Sequence, residues 1–263
     1  MGATSKIEWT EKTWNPTTGC TKVSPGCKHC YAETMAIRLQ AMQVTGYKNG
    51  FALSVLPARL QEPLRRKKPT MYFVNSMSDL FHEDIRDGFL DQVFGVIRQT
   101  PRHTYQILTK RSDRMAGYFS SRSVPGNVWL GVSVEDRKYG LPRIDHLRNI
   151  GAKIRFLSIE PLLESLGEID LAGIHWVIVG GESGPKARPM KKDWVVSIKN
   201  QCEEVDSAFF FKQWGWSKSA SAGRSSSFTA SKTACREAPR PRTLLFPAVA
   251  APHRFSLRAT PRR

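Results

Sequence analysis

Three cysteines near the N-terminus are the residues whose spacing has the clearest chemical meaning. Cys20, Cys27 and Cys30 lie within eleven residues, in the pattern C-x6-C-x2-C. The two-residue gap lets two thiolates converge on one centre, and Pro25 and Gly26 can turn the longer gap so that the first thiolate reaches it as well. Because iron–sulfur clusters are held by cysteine thiolates, the pattern favours a [4Fe-4S] cluster with one iron left open to a small molecule.

Zinc is the alternative metal for this site, and a third interpretation is that the cysteines bind no metal. His29 or a distant cysteine could complete three thiolates to a four-ligand zinc site. The sequence has no second C-x2-C pair of the usual structural zinc pattern, and His29 is awkwardly placed beside Cys30 to bind the same ion. Cys202 falls in a predicted helix and is interpreted as a core residue, while Cys235 is given no role.

The overall composition indicates a globular protein of a reducing compartment. The 263 residues can bury a substantial core, and 40% of them are hydrophobic. Five cysteines, three of them clustered, do not fit a small secreted protein with paired disulfides. The N-terminus lacks the apolar stretch of a signal peptide, and no run approaches the roughly 18 apolar residues of a membrane span. We therefore expect a cytoplasmic protein with no membrane partner.

Short apolar runs alternate with amphipathic stretches along most of the chain, a pattern typical of buried parallel strands and their crossover helices. The predicted strands are residues 7–14, 71–75, 105–108, 128–132, 154–158, 176–179 and 208–211. The predicted helices are residues 29–42, 89–97, 111–119, 137–149 and 192–204. Pro142 is expected to start or kink its helix, because proline cannot donate a helical hydrogen bond.

This alternation predicts the α/β class with a parallel sheet and right-handed crossovers. Six or seven strand–helix units favour a full or partial (β/α) TIM-type barrel over residues 1–216. An open doubly wound sheet is the structural alternative.

The composition changes after Trp216, where Ser, Ala, Arg and Pro dominate. Residues 217–263 are predicted to be a low-complexity, basic and disordered tail. One hypothesis is that a reading-frame slip near residues 214–217 replaced the natural C-terminus. The alternative is a genuine basic linker or tail.

Polar residues follow each predicted strand. Because the carboxyl ends of barrel strands form the catalytic face, their recurrence predicts a polar pocket there. The candidate cofactor-binding residues are Asn75, Ser76, Ser133, Glu135, Glu160, Gly180, Gly181, Glu182 and Ser183. The paired glycines permit close backbone approach to a ligand, and Glu182 could accept hydrogen bonds from an ammonium group or ribose hydroxyls.

Two of these candidates are carboxylates that need partners. Buried acids are costly unless they are paired. Glu135 and Glu160 are therefore expected to meet Lys110, Arg111, Lys212 or a cationic ligand.

Several short motifs follow one another along the chain: WNP at 14–16, GC at 19–20, CKHCYAE at 27–33, SMSDLF at 76–81, LTKR at 108–111, GVS at 131–133, IEPL at 159–162, VGGESG at 179–184 and FKQWG at 211–215. Taken together, they resemble a poorly characterised protein family of phages, prophages and bacterial chromosomes that is regarded as related to radical S-adenosylmethionine (SAM) enzymes. The resemblance extends from about Lys6 to Gly215, and the sequence departs from the family pattern after that point.

The resemblance implies that the full or partial (β/α) barrel is of radical SAM type, with a [4Fe-4S] cluster in the loop after its first strand. SAM would bind the open iron through its amino and carboxylate groups, and an electron donor would reduce the cluster. Cleavage of SAM would then give a 5′-deoxyadenosyl radical that abstracts hydrogen from a substrate. The superfamily's familiar spacing is C-x3-C-x2-C, so the first gap departs from it. Its Gly-Gly-Glu motif usually follows the second strand, so residues 180–182 are carried over only as a candidate contact with SAM or substrate.

The charge distribution suggests a polyanionic partner. Residues 217–263 contribute +9 to the net charge of +17, which leaves +8 on residues 1–216. A basic body is compatible with a nucleotide or nucleic-acid partner, although a solvated basic surface is an equally good interpretation. A second hypothesis is a nucleic-acid-binding module with a structural metal, in which the basic runs 65–68 and 191–192 contact phosphates. A third is a truncated, inactive relative. The sequence leaves the oligomeric state unknown.

Overall fold

A sheet of seven parallel strands is the framework of the structure, a computed structural model that describes residues 7–215. The elements in chain order are β1 (Lys12–Trp14), β2 (Thr17–Thr18), α1 (Tyr31–Ala41), β3 (Ser54–Val55), α2 (Gln61–Arg65), β4 (Met71–Val74), α3 (Asp87–Gln99), β5 (Thr104–Thr109), α4 (Ser112–Phe119), β6 (Val128–Ser133), α5 (Arg137–Arg148), β7 (Ile154–Ile159), β8 (Trp176–Gly180), α6 (Lys192–Glu204) and β9 (Ala208–Gln213). Two short 3-10 turns, Pro25–Cys27 and Pro57–Leu60, precede α1 and α2.

The strand order identifies the architecture. The sheet runs β1-β4-β5-β6-β7-β8-β9, and every neighbouring pair is parallel. Each new strand is added at the same edge, whereas a doubly wound sheet reverses direction part-way. Within residues 7–215, β1 and β9 remain edge strands that do not pair with each other. The prediction of a (β/α) TIM-type barrel is therefore confirmed in its partial form, and the doubly wound alternative is wrong.

The two faces of the sheet carry different side chains, since residues alternate along each strand. The outer face packs on the helices, where α3 alone buries Leu90, Val93, Phe94 and Ile97. The inner face holds a separate cluster, named here the aromatic plug, that consists of Trp9, Phe73, Trp129, Phe156 and Trp176.

Most predicted elements are present, with three differences. β1 is shorter than the predicted strand, because residues 7–10 form a turn closed by the hydrogen bond from Thr10 N to Ile7 O. The β2–β3 hairpin and α2 were not predicted. Pro142 does not start its helix, because α5 begins at Arg137 and Asp136 caps it by accepting from Tyr139 N at 2.7 Å.

The predictions for the C-terminal region lie outside the described residues. These are the disordered tail at 217–263, the alternatives for its origin, and Cys235. The bounds of the barrel domain, 1–216, stay a prediction. None of the helices in that range has the length and apolar character that a membrane span requires.

Candidate functional site

The segment from residue 19 to residue 30, named here the cysteine loop, crosses the carboxyl edge of the sheet. It begins beside β4, where Gly19 N donates to Met77 O at 3.1 Å and Cys20 N donates to Phe51 O at 3.0 Å. Gly19 has a φ of +79°, and a Cβ there would collide with the backbone of Ala52. Glycine is therefore required at the entrance to the loop.

The end of β5 holds the first cysteine through a charged side chain. Arg111 Nη1 donates to Cys20 Sγ at 3.4 Å, and Nη2 donates to Thr21 Oγ1 at 2.7 Å and to Thr21 O at 3.3 Å. The guanidinium is itself held by Asp79 at 3.3 Å and Glu83 at 2.7 Å. One buried arginine thus links the cysteine loop to two carboxylates.

The end of β6 holds the middle of the loop. Ser24 Oγ donates to Glu135 Oε1, and a Cβ on Gly26 would lie 2.9 Å from the Glu135 side chain. Arg143 Nη1, from α5, donates to Glu135 Oε2 at 2.6 Å. Burial opposes ionisation of Glu135, but the charges of Lys110 and Arg143 outweigh it and lower the pKa of the carboxyl group. The fully buried carboxylate therefore stays charged and paired.

The end of β8 reaches the same loop through an arginine. Glu182 accepts from Arg188 Nη2 at 2.5 Å and from Arg188 Nε at 3.0 Å, while Arg188 Nη2 also donates to Pro25 O at 3.0 Å. Burial again opposes the charge, but hydrogen bonds from Arg188 lower the pKa of Glu182. The ends of four strands, β4, β5, β6 and β8, therefore contact the cysteine loop.

The three thiols are free and half-buried. Burial and then the charge of Asp79 raise the pKa of the Cys20 thiol, and they outweigh the charge and hydrogen bond of Arg111, which lower it. In the part of the chain that the structure describes, no three His, Cys, Asp or Glu side chains are arranged to hold a single metal ion. The loop would have to adjust for the thiolates to share one ion. The donor set itself fits an iron–sulfur cluster, whose protein ligands are thiolates.

The candidates at the end of β4 are used within the chain. Asn75 has a φ of +58° and is buried. Its Nδ2 donates to Thr17 Oγ1 at 2.8 Å, and its Oδ1 accepts from Thr17 N at 3.4 Å. Ser76 Oγ donates to Asn15 Oδ1 at 3.2 Å, and Ser76 O accepts from the Tyr31 hydroxyl at the start of α1. Both residues therefore support the loops around the cysteines.

The ends of β7 and β8 form a second group. Glu160 pairs with Lys212 at 2.9 Å and accepts from Ser158 Oγ at 3.0 Å. A Cβ on Gly180 would lie 2.7 Å from Glu160 Oε1, and a Cβ on Gly181 would collide with the backbone of Gly215. The close approach that the paired glycines permit is thus occupied by the protein's own carboxylate and backbone.

Two further candidates lie at the same edge. Ser133 is the last residue of β6, is buried, and accepts from Arg143 Nη1 at its carbonyl oxygen at 2.8 Å. Ser183 is exposed and accepts from Gln213 Nε2 at 2.6 Å. Of the strand-end candidates here, Ser133 and Gly180 are buried and Ser183 is exposed. Two surface depressions elsewhere, beside Asn127 and beside Gln201, include none of the predicted site residues.

Residues 4–239 match the model of a protein family described as protein of unknown function, DUF5131. The chain belongs to this family. No match was found among the curated proteins.

Among solved structures, the DUF5131 protein is similar to spore photoproduct lyase. A double mutant of that lyase with bound AdoMet and dinucleoside spore photoproduct is 15% identical, with a TM-score of 0.47, 78% of this chain covered and 64% of the other. A single mutant is 14% identical, with a TM-score of 0.49, 81% of this chain covered and 79% of the other. The DUF5131 chain therefore spans less than two thirds of the first of these structures.

The structure of this DUF5131 protein contains one of the expected ion pairs and gives the other carboxylate a different partner. Glu160 meets Lys212, as expected. Glu135 meets Arg143, which was not predicted, and Arg111 pairs with Asp79 and Glu83 rather than with either predicted carboxylate. A sequence signal for Arg143 existed, because it falls on the apolar face of α5, where a cation needs a partner.

Two further residues differ in how well the sequence predicted their surroundings. Arg188 lies in an irregular segment, so nothing in its sequence surroundings predicted its contact with the cysteine loop. Cys202 is buried in α6, as predicted, and burial raises the pKa of its thiol to about 12. The basic run 65–68 precedes β4, whereas the run 191–192 follows β8 and begins α6, so the two runs lie toward opposite ends of the parallel strands.

Proposed function

We propose that this protein is a radical SAM-type iron–sulfur enzyme in which Cys20, Cys27 and Cys30 bind a [4Fe-4S] cluster. The observation that carries the proposal is the position of three free thiols in one loop over the carboxyl edge of a partial parallel barrel. That edge is where (β/α) barrels place their chemistry. The motifs that resemble radical SAM-related proteins point to the same reaction class.

The bound cluster would supply the electron that cleaves SAM to a 5′-deoxyadenosyl radical. The chain's own residues have two tasks around it. Glu135 and Glu182 hold the loop through Ser24 and Arg188. The half-buried edge limits access of water, and an external electron donor is required as a partner.

SAM and substrate are proposed to bind along the strand ends beside the loop. Because side chains alternate along a strand, Ser133, Glu160 and Gly180 fall on the same inner face as the aromatic plug. Glu160 and Lys212 form a half-exposed pair there, which offers both a carboxylate and an ammonium group to a ligand. Ser183, which is exposed, would contribute a hydroxyl contact.

The proposed substrate is a nucleotide or nucleic acid. The supporting observation is the charge of +8 on residues 1–216, since +9 of the total of +17 belongs to residues 217–263. Exposed lysines lie at the carboxyl edge itself, at Lys28, Lys186 and Lys191. A base modified in this site would have to leave its stack, which is easiest in single-stranded substrate. A cytoplasmic location and a phage origin stay predictions.

The decisive experiment is anaerobic reconstitution with iron and sulfide, followed by electron paramagnetic resonance with and without SAM. We expect a reduced-cluster signal that changes when SAM is added, and 5′-deoxyadenosine as a product under reducing conditions. Cys27→Ser should lose the cluster, whereas Cys202→Ala, which changes a core cysteine, should keep it.

Two outcomes would contradict the proposal. Wild-type protein that takes up zinc but no iron–sulfur cluster would favour the structural-metal hypothesis. An intact cluster whose electron paramagnetic resonance signal does not change when SAM is added, with no 5′-deoxyadenosine formed, would exclude the radical SAM reaction.

A further inference from the structure

Arg111 has an unusually complete set of contacts for one side chain. Its Nε donates to Glu83 Oε2 at 2.7 Å, its Nη1 faces Cys20 Sγ at 3.4 Å and Asp79 Oδ2 at 3.3 Å, and its Nη2 donates to Thr21. The residue is only 6% exposed. The orientation of the guanidinium toward the sulfur is therefore fixed from several sides.

Its surroundings are more acidic than one arginine can balance. Asp79 is buried and is held by Thr109 Oγ1 at 2.7 Å and by Lys110 N at 3.0 Å. Glu83 is more exposed, and its Oε1 accepts from Thr21 Oγ1 at 2.9 Å. Two carboxylates therefore contact a single guanidinium directly beside Cys20. Removing a carboxylate charge makes the electrostatic potential at the sulfur more positive, and removing the guanidinium charge makes it more negative.

We propose that Arg111 raises the reduction potential of the cluster, because it donates a hydrogen bond to the Cys20 thiolate and places a positive charge beside it. The inference rests on the proposed function, because it requires a cluster on the cysteine loop. Hydrogen bonds to cluster sulfurs and the net charge nearby are two of the factors that set the potential of such clusters. Reduction adds negative charge, which a buried guanidinium stabilises.

Arg111 is thus a positioning and tuning residue, and Glu83 acts on the potential in the opposite direction. Glu83 neutralises part of the guanidinium charge and holds its Nε away from the sulfur. A residue that only held the loop in place would alter how much cluster is bound. It would leave the potential of the bound cluster unchanged.

The test is potentiometry followed by electron paramagnetic resonance on full-length protein with its cluster reconstituted, normalised to bound iron and sulfide. Arg111→Met should shift the midpoint potential to more negative values. Arg111→Lys, which keeps the charge but loses the forked geometry, should shift it less. Glu83→Gln should shift it to more positive values. Arg122→Met is the matched control without a shift, because Arg122, which follows α4, pairs with Asp91 of α3.

Each outcome has a distinct meaning. An unchanged potential in Arg111→Met with full cluster content would overturn the inference and leave the proposed function intact. If Arg111→Met fails to fold, Glu83→Gln decides, and a potential equal to that of the wild type would overturn the inference. Wild-type protein that takes up no cluster would overturn both proposals.

Discussion

The inner face of the sheet is divided into two regions that use the same strands differently. Toward the amino ends, the aromatic plug packs ring on ring, with centroid distances of 4.7 Å for Trp9–Phe73 and 5.9 Å for Trp9–Trp176. Toward the carboxyl ends, the inner positions carry serine, glycine and charged residues. The same face therefore changes from a packed interior to a polar site.

The change takes place within single strands. Along β7 and its end, the inner positions run from Phe156 through Ser158 to Glu160, and along β8 they run from Trp176 to Gly180. Four residues span about 13 Å of strand. The plug can thus stabilise the barrel even if the polar residues at the carboxyl ends of the strands lower the free energy of unfolding. This division predicts that stability and cluster binding respond to different substitutions.

The largest effect is expected from removing a central ring of the plug. Trp176→Ala should lower the free energy of unfolding by about 3–5 kcal/mol, because it leaves a large cavity among four aromatic neighbours. Urea unfolding followed by circular dichroism measures this loss. The iron bound per folded molecule should remain unchanged.

Trp214→Ala is the matched control for the plug. Trp214 is 43% exposed, so its removal should change the free energy of unfolding by less than about 1 kcal/mol. If the two substitutions cost the same, or if Trp176→Ala abolished cluster binding in folded protein, the division of the inner face would be wrong.

The second prediction concerns the polar region itself. Glu135→Gln should destabilise the protein by about 3 kcal/mol, because it leaves the buried Arg143 without its charge partner. It should also reduce cluster uptake, since Glu135 holds Ser24 in the cysteine loop. Iron content and thermal unfolding measure the two effects separately.

An exposed ion pair on α5, the helix that carries Arg143, provides the comparison for Glu135. Asp145→Asn breaks the pair between Asp145 and Arg148, which is worth less than about 1 kcal/mol at a surface. It should leave cluster uptake unchanged. Equal losses for the two variants would mean that the buried pair has no special role.

The difference between the two regions also explains what the sequence could predict. Strands such as β6 and β8 are uninterrupted apolar runs, so their periodicity identified them, and their order along the chain matched a barrel. Candidate positions such as Glu135 and Glu182 were recognised because they follow those strands. Local composition carries this information.

The partners of those residues could not be predicted from local composition. Arg188 lies 163 residues from Pro25, and Arg111 lies 91 residues from Cys20. Contacts of this kind depend on how the loops fold over the strand ends. For the same reason, the paired glycines were interpreted as a ligand contact, whereas the structure packs Gly181 against Gly215.

A smaller effect is expected at those glycines. Gly181→Ala should destabilise the protein by about 1–3 kcal/mol, because the new Cβ collides with the backbone of Gly215 rather than with a flexible side chain. Gly117→Ala is the opposite case, since Gly117 lies in α4 with open space around it. It should stabilise the protein by up to about 1 kcal/mol. Thermal unfolding of both variants measures the contrast, and a stabilised Gly181→Ala would show that β9 is not packed as described.

The smallest effect, and the one that separates the regions by chemistry, is the pH dependence of Glu182. Its folded-state pKa is lowered from 4.5, because the hydrogen bonds and charge of Arg188, with a contribution from His29, outweigh burial. A lowered pKa gives stabilisation that is complete above the unfolded-state pKa and is lost as the pH falls through the folded-state pKa. Since Arg188 is 26% exposed, Glu182→Gln should cost only about 1–2 kcal/mol near neutral pH. The difference between wild type and variant should shrink as the pH falls below about 4.5.

The loss in Trp176→Ala involves no titrating group, so it should not change with pH. Urea unfolding at about pH 7 and about pH 4 tests this contrast between the two variants. A Glu182→Gln difference that is constant with pH would show that the carboxylate is not charged and paired in the folded protein.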